Sequence, residues 1–591
     1  MSHYKTPLED IRFNLEAFGY TENVHSMPDF ADFDLDTAMG IIEEFAKFCE
    51  GELLPLNAKG DHDDLVFDPK DYSVTTADGF KEAWAAYAAA GWSGVTGPVE
   101  YGGFGAPHAV GVMTGESLIA TNKSFSMCDG LSKGLINALA AGGVSEELKS
   151  TYLPKLISGE WTGTMCLTEA QCGTDLGLMT TKAIPNDDGS FRLTGSKIWI
   201  SFGEHDYAEN IIHLVLARLP DAPSGIKGIS AFIVPKFLDD GSRNPVFCGG
   251  LEHKMGINAS PTCVINMEEA QGWLVGAPHK GMRTMFVMMN TARLHTGLEG
   301  VALGEHAYQA ALSFAKDRRQ SRALDKSKRE AGVAADNILV HPDVRRMLLN
   351  VKSTTEPLRG LGCWIATQID VAHHHPDAAT REKASGLVAL LTPVIKSYGS
   401  ERGFLNTSEA MQVMGGAGFT QDWPVEQLMR DLRIAMLYEG TNHIQALDLV
   451  GRKLPMNGGA LIMGFAAEVK EGIKAAAADP AIAPFAGILA GYSKQLSTVT
   501  QGLMMSAMQD REVVGAVASS YLNFFALVTL GHVWLRQLAH AKTYGEESAT
   551  WRGKLQTARF FFESVLPEAD VFAARVAAGK GSVTDIDISL L

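Results

Sequence analysis

Apolar side chains recur at three- and four-residue intervals in LDTAMGIIEEFAKFCEGEL (residues 35–53), which predicts a helix with one buried face. VTTADGFKEAWAAYAAAGW opens a second such helix after a Thr/Asp start signal, and GWSGVTGPVEYGGFGAP reads as a Gly/Pro loop between helices. Residues 1 to about 160 therefore read as helical. Near Gly159 the period changes. FRLTGSKIWIS, NIIHLVLARL and GISAFIVPKF are rich in β-branched and aromatic residues and are separated by turn clusters such as PNDDGS, which predicts a β-rich domain from Thr162 to about Met267. Helical spacing returns at MRTMFVMMNTARLHTGLEGVALGEHAYQAALSFAKDRRQSR and persists to the C-terminus.

The expected fold class is α+β: an N-terminal helical domain, a middle β-barrel-like domain, a C-terminal helical bundle and an additional C-terminal helical domain. The boundaries expected are an extension over residues 1–35, helices over 36–160, strands over 161–280, the bundle over 281–455 and further helices over 456–591. No internal repeat is seen.

Composition narrows the function classes. With 46% hydrophobic and 20% charged residues, 591 residues supply ample core without staples. The net charge of −17 argues against a nucleic-acid partner, which needs clustered Lys and Arg. Seven scattered cysteines without a CxxC suggest a reducing compartment. The start is amphipathic rather than a signal peptide, and no run of about 18 uncharged apolar residues is read in the chain. These features lead us to expect a cytoplasmic protein with no integral membrane association.

Four segments carry candidate chemistry. MCLTEAQCGTDLG (165–177) offers the Thr168 and Thr174 hydroxyls and the open backbone of Gly173, the donors an anionic ligand needs; alone it reads as a strand followed by an Asx turn. In KIWIS (197–201), strand alternation puts Trp199 and Ser201 on one side, and a strand Trp alone reads as core. In MQVMGGAGF (411–419), Gly415 and Gly416 allow close approach beside Gln412, yet no strand precedes them as a dinucleotide fold requires; alone they read as a helix C-terminus. In YEGTNHIQ (438–445), Glu439 sits at a loop-to-helix transition, where a surface role is the local alternative. HHHP (373–376) reads as a helix end in solvent, so no metal site is expected. Cys166 and Cys172 have no neighbouring His in sequence to support nucleophilic catalysis.

Taken together and in order, these segments resemble the acyl-CoA dehydrogenase family over about residues 40–455. MQVMGGAGFTQDWPVEQLMRDLRIAMLYEGTNHIQALDLVGRKL is similar to that family's C-terminal signature, MCLTEAQCGTD to its flavin-side motif, GVTGPVEYGGFGAP to its N-terminal loop and HKMGINASPT to its late β-domain stretch. The resemblance implies FAD at the junction of the β and helical domains. Thr168 and Ser201 would hydrogen-bond the isoalloxazine ring, Trp199 would pack on it, and Cys166, Gly173, Thr174 and Thr441 would lie around the cofactor. Arg318, Gln320, Gln412, Gly415 and Gly416 would reach the FAD of a neighbouring subunit. Ser201 stands where many members have Thr, and Asn442-His443 replaces smaller or amide-bearing residues.

The implied reaction forms a trans-2-enoyl-CoA. Glu439 removes the proton α to the thioester, its pKa raised by burial in the substrate complex, and a hydride leaves the β carbon for FAD. Arg293, Tyr438 and Gly440 would meet the substrate. Some branches carry the base just before an Arg on another helix; here Ala292, preceding Arg293, offers no carboxylate. TMFVMMN reads as core or acyl-chain lining. The long C-terminus and the YKTPLEDIRFNLEAF segment resemble a branch that includes 3-methylmercaptopropionyl-CoA dehydrogenases, and medium- and long-chain fatty acyl-CoA enzymes of fatty acid β-oxidation share that architecture. A homodimer handing electrons to an electron-transfer flavoprotein is expected. The competing readings are an acyl-CoA oxidase using oxygen and a non-catalytic DNA-associated relative, the latter opposed by the acidic charge.

Overall fold

The computed structural model describes residues 4–141 and 143–591. In chain order the helices are α1 (Leu8–Ala17), α2 (Leu35–Phe48), α3 (Leu54–His62), α4 (Phe80–Ala89), α5 (His108–Thr121), α6 (Lys123–Ala140) and α7 (Glu146–Ser158). A short antiparallel hairpin, β1 (Val66–Asp68) and β2 (Ser73–Thr75), interrupts this region, which the helical periodicity did not anticipate. Strands β3 (Trp161–Cys166), β4 (Lys182–Pro185), β5 (Phe191–Ser201), β6 (Asn210–Arg218), β7 (Ile229–Pro235), β8 (Val246–Leu251) and β9 (Thr262–Val275) follow. Then come α8 (Gly281–Asp317), α9 (Pro342–His374), α10 (Ala378–Val394), α11 (Ser400–Met414), α12 (Val425–Leu432) and α13 (Asn442–Asp448). The chain ends with α14 (Ala460–Ala477), α15 (Ala483–Gln509), α16 (Glu512–Lys542), α17 (Ala549–Phe560), α18 (Glu568–Ala578) and α19 (Gly581–Thr584). The α+β architecture expected from the periodicity is the one observed.

The chain forms two compact units, residues 44–295 and residues 1–43 with 296–591. In the first, the sheet closes on itself: β6 pairs β4, β4 pairs β5, β5 pairs β9, β9 pairs β7, and β7 returns to β6. This ring is the barrel-like domain expected from sequence. β6 explains why its sequence is apolar without alternation. Ile212, Leu214 and Leu216 pack with Leu135 and Leu139 of α6 and Leu153 and Leu156 of α7, while Val215 and Ala217 point the other way, among Phe232, Leu193 and Ile265. Each such fully buried side chain contributes about 1.5–3 kcal/mol.

In the second unit, α1 is built into the C-terminal helices. Arg359, 1% exposed, binds Asp10 at 2.6 Å and Glu305 at 3.0 Å, and Lys554 bridges Asp10 and Glu356. Gln537 of α16 donates to Asn14 at 2.8 Å, and His540 and Tyr544 reach Glu16. The N-terminal extension and the C-terminal helices thus share one set of polar contacts, buried around Arg359 and more open at Glu16. α16 corrects one sequence reading: residues 513–535 carry no Asp, Glu, Lys or Arg, and the helix is long and apolar enough by length and composition to cross a membrane. In this fold 72% of its most apolar window is buried, around Phe524, Phe525, Leu527 and Trp534.

Candidate functional site

The flavin-side segment follows β3 in the barrel unit. It is fastened to β5 by Ile198 N–H, which donates to Thr168 O at 2.9 Å, and by Lys197, which donates to Leu167 O at 3.0 Å. Lys197 also meets Glu169 at 2.9 Å, the two side chains 0% and 3% exposed. The carboxylate further accepts the amides and hydroxyls of Thr180 and Thr181. Burial by itself would raise the Glu169 carboxyl, but Lys197 and the Thr181 and Thr180 donors hold it well below its ordinary value. Burial pulls the Lys197 ammonium down, opposed by Glu169. Sequence reading passed over both residues, which sit inside its two motifs.

This pair explains a correction. Lys197 turns inward to reach Glu169, the β5–β9 register slips between Lys197 and Ile200, and Trp199 takes φ 60°. Regular alternation therefore fails here, and Trp199 is neither core nor set by strand parity: its side chain is turned outward, with the residue 61% exposed. A left-handed non-glycine residue is uncommon in a strand and marks a bulge that re-aims a side chain. Ser201 resumes the ladder opposite Thr262 and is half-buried. Thr168 is half-buried and Gly173 and Thr174 are exposed; beyond them Asp175 accepts from Gly177 N–H at 3.1 Å, the expected Asx turn. A Cβ on Gly173 would meet only Thr168, at 3.5 Å, so the backbone there is open to a ligand.

Cys166 needs a second correction. Its side chain is fully buried in the barrel interior, so only its backbone can serve a cofactor. A histidine does neighbour it: His213 Nδ1 lies 3.9 Å from Sγ and 2.7 Å from Thr164 Oγ1. Burial and the positive charges of Arg243 and Lys236 push this imidazole down to about 3, leaving it neutral and only weakly basic. All seven cysteines are free and buried. Arg293 is buried, 5.9 Å above the Phe286 ring.

The Glu439 segment lies in the other unit, immediately before α13. Glu439 has φ 58° and Gly440 φ 82°. Both carbonyls are gripped: Gln445 Nε2 donates to Glu439 O at 3.1 Å and Gly440 O at 3.2 Å, and the buried Lys396 donates to Gly440 O at 2.7 Å. Thr441 caps α13 by accepting from Ile444 N–H at 3.3 Å. Asn442 donates to Ser397 O at 3.1 Å and accepts from Lys396 and Ser400. Tyr438 donates to Glu299 at 2.5 Å; burial, Glu299 and Glu439 all keep its hydroxyl protonated by raising its pKa. Glu439 itself is half-buried, with its Oε2 shielded from solvent.

Two substitutions noted in the sequence acquire partners. Asn442 pins the loop to the π-helical turn Ile395–Gly399, and His443 Nδ1 meets Ser519 Oγ of α16 at 2.9 Å. That turn lies close to α8 because of glycines: a Cβ on Gly297 would sit 2.7 Å from Ile395 O, and one on Gly300 would sit 1.9 Å from Gly399 O.

Arg318, Gln320, Gln412, Gly415 and Gly416 form a third group, all exposed. Phe314 of α8 packs edge-on against Trp423 at 5.3 Å, tying the end of α8 to the segment that follows the glycines. Gly415, at φ 59°, terminates α11 as its glycine pair predicts, and a Cβ on Gly416 would meet nothing within 4 Å. The structure thus assembles the sequence-derived residues into a barrel group (Cys166, Thr168, Gly173, Thr174, Trp199, Ser201) and, in the other unit, a loop group (Tyr438–Thr441) and this exposed group. Among the described residues no cluster of metal-ligating side chains occurs, and the three histidines at 373–375 end α9.

Known proteins show the same organisation. The acyl-CoA dehydrogenase N-terminal, middle and C-terminal domain profiles match residues 36–160, 164–270 and 279–454, and a profile described as acetyl-CoA dehydrogenase C-terminal like matches 465–587. A 3-methylmercaptopropionyl-CoA dehydrogenase of Ruegeria pomeroyi is 38% identical, the alignment covering 100% of this chain and 99% of the relative. A broad-specificity linear acyl-CoA dehydrogenase of Mycobacterium tuberculosis is 34% identical over 96% of each chain. An acyl-CoA dehydrogenase from Bacillus anthracis, solved with FAD, superposes with a TM-score of 0.75 at 22% identity, covering 93% of this chain and 89% of that one.

Proposed function

The chain belongs to the acyl-CoA dehydrogenase family, and from that premise we propose that it oxidises an acyl-CoA to the trans-2-enoyl-CoA, with Glu439 as the base and FAD as cofactor. The observation that carries this reading is a carboxylate placed by a strained, doubly gripped backbone at a loop-to-helix transition.

The residues present suit a flavin. Trp199 presents an outward indole on which a ring can pack, while the Thr168, Thr174 and Ser201 hydroxyls make no hydrogen bond among the described residues. When bound, FAD supplies the acceptor for the hydride from the β carbon. Glu439 takes the α proton onto a carboxylate oxygen. Its own N–H, fixed by the grip on the loop, is a donor suited to the thioester oxygen as negative charge develops there. Tyr438, committed to Glu299, holds the loop from the side of α8. A base whose backbone is held by three hydrogen bonds to the Glu439 and Gly440 carbonyls has less orientation freedom to lose at the reacting step.

The substrate we favour is a short acyl-CoA, with the sulfur-containing thioester of the Ruegeria relative the first candidate. The likeness to that relative from end to end supports it. The exposed Arg318, Gln320, Gln412, Gly415 and Gly416 fit a homodimer in which each subunit reaches the other's cofactor, and an electron-transfer flavoprotein is the electron acceptor we favour. Anaerobic addition of butyryl-, octanoyl-, palmitoyl- and 3-methylmercaptopropionyl-CoA to the yellow protein, followed at the flavin band, tests the reading. Bleaching by one of them supports it; a protein without flavin, or flavin unmoved by every thioester, overturns it. Rapid oxygen uptake with substrate would instead favour an oxidase.

A further inference from the structure

His295 lies in the middle of α8, three residues beyond Ala292 and therefore on the same face of the helix, about 4.5 Å further along its axis. The ring is half-buried and makes no hydrogen bond among the described residues. It is housed deliberately. A Cβ at Gly115 of α5 would stand 3.2 Å from its Cε1, so the missing side chain there makes room for the imidazole. His108 of α5 and Lys123, Asp129 and Lys133 of α6 act on it electrostatically. Burial first, then Lys133, pushes its pKa down to about 4, so the ring is neutral near pH 7, with one N–H donor and one acceptor nitrogen.

The surrounding charges are already engaged. Lys133 pairs with Asp129 at 2.9 Å, and Asp129 also accepts from Tyr87 at 2.8 Å. Lys123 Nζ lies 2.8 Å from Met127 Sδ. One turn back along the same face Thr291 accepts from Asn137 at 3.5 Å, and two turns back Met288 packs over Gly134. The face thus passes from thioether to hydroxyl to imidazole. An imidazole with no internal hydrogen bond keeps its donor and acceptor nitrogens available to a ligand.

We propose that His295 is a specificity-determining residue whose imidazole hydrogen-bonds a heteroatom in the acyl group, so that short acyl-CoAs bearing an ether or thioether are preferred over alkanoyl-CoAs of equal length. This rests on the reading of the protein as an acyl-CoA dehydrogenase whose α8 faces the acyl chain. Leaving the imidazole unpaired beside an all-carbon chain is the source of the discrimination, as in other sites built to bond a polar substrate atom.

The test compares kcat/KM for 3-methylmercaptopropionyl-, 3-methoxypropionyl- and pentanoyl-CoA, which have chains of equal atom count. Any intrinsic electronic effect of the heteroatom is common to all enzyme variants and cancels when ratios are compared. The expected result is a heteroatom-to-alkyl ratio that falls about tenfold in His295→Leu, the scale of one neutral hydrogen bond, with His295→Gln intermediate. Flavin content and thermal midpoint confirm that each variant is folded, and the Gln variant alone decides the matter if the Leu variant is not. An unchanged ratio, with all three thioesters still bleaching the flavin, overturns the role of His295 and leaves the dehydrogenase reading standing. Failure of every thioester with the wild-type protein overturns the reading and the inference together.

Discussion

Trp199 in the barrel and Glu439 in the helical unit hold the same left-handed backbone, φ 60° and 58°, yet the two are secured by different means. Behind Trp199 stands a buried ion pair, Lys197–Glu169, saturated by threonine donors. Behind Glu439 stand amide and ammonium donors aimed at carbonyls, from Gln445, Lys396 and Asn442. A non-glycine residue in this region of backbone space costs about 1–3 kcal/mol and persists only where its surroundings over-determine it. The barrel therefore resists through charge, and the loop through hydrogen-bond geometry. One consequence is that acid attacks the first device, while loss of a single donor attacks the second.

The largest effect should come from Lys197→Met. It leaves Glu169 buried opposite no cation and is expected to cost about 3–5 kcal/mol in urea unfolding, with loss of bound flavin. An unchanged midpoint would break the claim that the ion pair sets the bulge. Acid gives the same answer without mutation. Glu169 is held below its unfolded value of about 4.3, so its stabilising contribution is complete above that pH and is lost as the pH falls below it. Wild-type stability should drop steeply below about pH 4.3, and Glu169→Gln should flatten that drop.

Next in size is Lys396→Met. The loop loses a donor to Gly440 O and Asn442 while the barrel is untouched, so kcat should fall about 100-fold with flavin retained. Equal loss of flavin in this variant would show that the two devices are not independent. The smallest effect is expected from Thr441→Ala, about 1 kcal/mol of stability through the lost cap of α13, restored by Thr441→Ser.

How far the sequence reveals each device follows from the physics that builds it. The glycine pair after α11 and the Asx turn at Asp175 are local, and each was readable because its geometry is set by residues within a few positions; the Thr441 cap, equally local, was passed over because Thr441 was expected beside the cofactor. The bulge at Trp199 was not readable, because it depends on where Lys197 points, and that is decided by a carboxylate 28 residues earlier. The roles of Asn442 and His443 were equally hidden: their partners are Ser397 and Ser519, brought near only by tertiary packing. α16 was misjudged because its Ser, Asn, Thr and His residues disguise an uncharged stretch that packing buries. The barrel closure rests on one short pairing of Lys182 with Arg218, which no periodicity announces.

The central claim is that Glu439, fixed by its loop, removes the α proton. It is tested most directly by comparing wild type and Glu439→Gln in anaerobic flavin titration with the thioester that bleaches the wild type. The account predicts that the variant binds flavin and unfolds at the wild-type temperature, yet bleaches about 100- to 10,000-fold more slowly. Bleaching at the wild-type rate would contradict the account and move the base elsewhere in the protein.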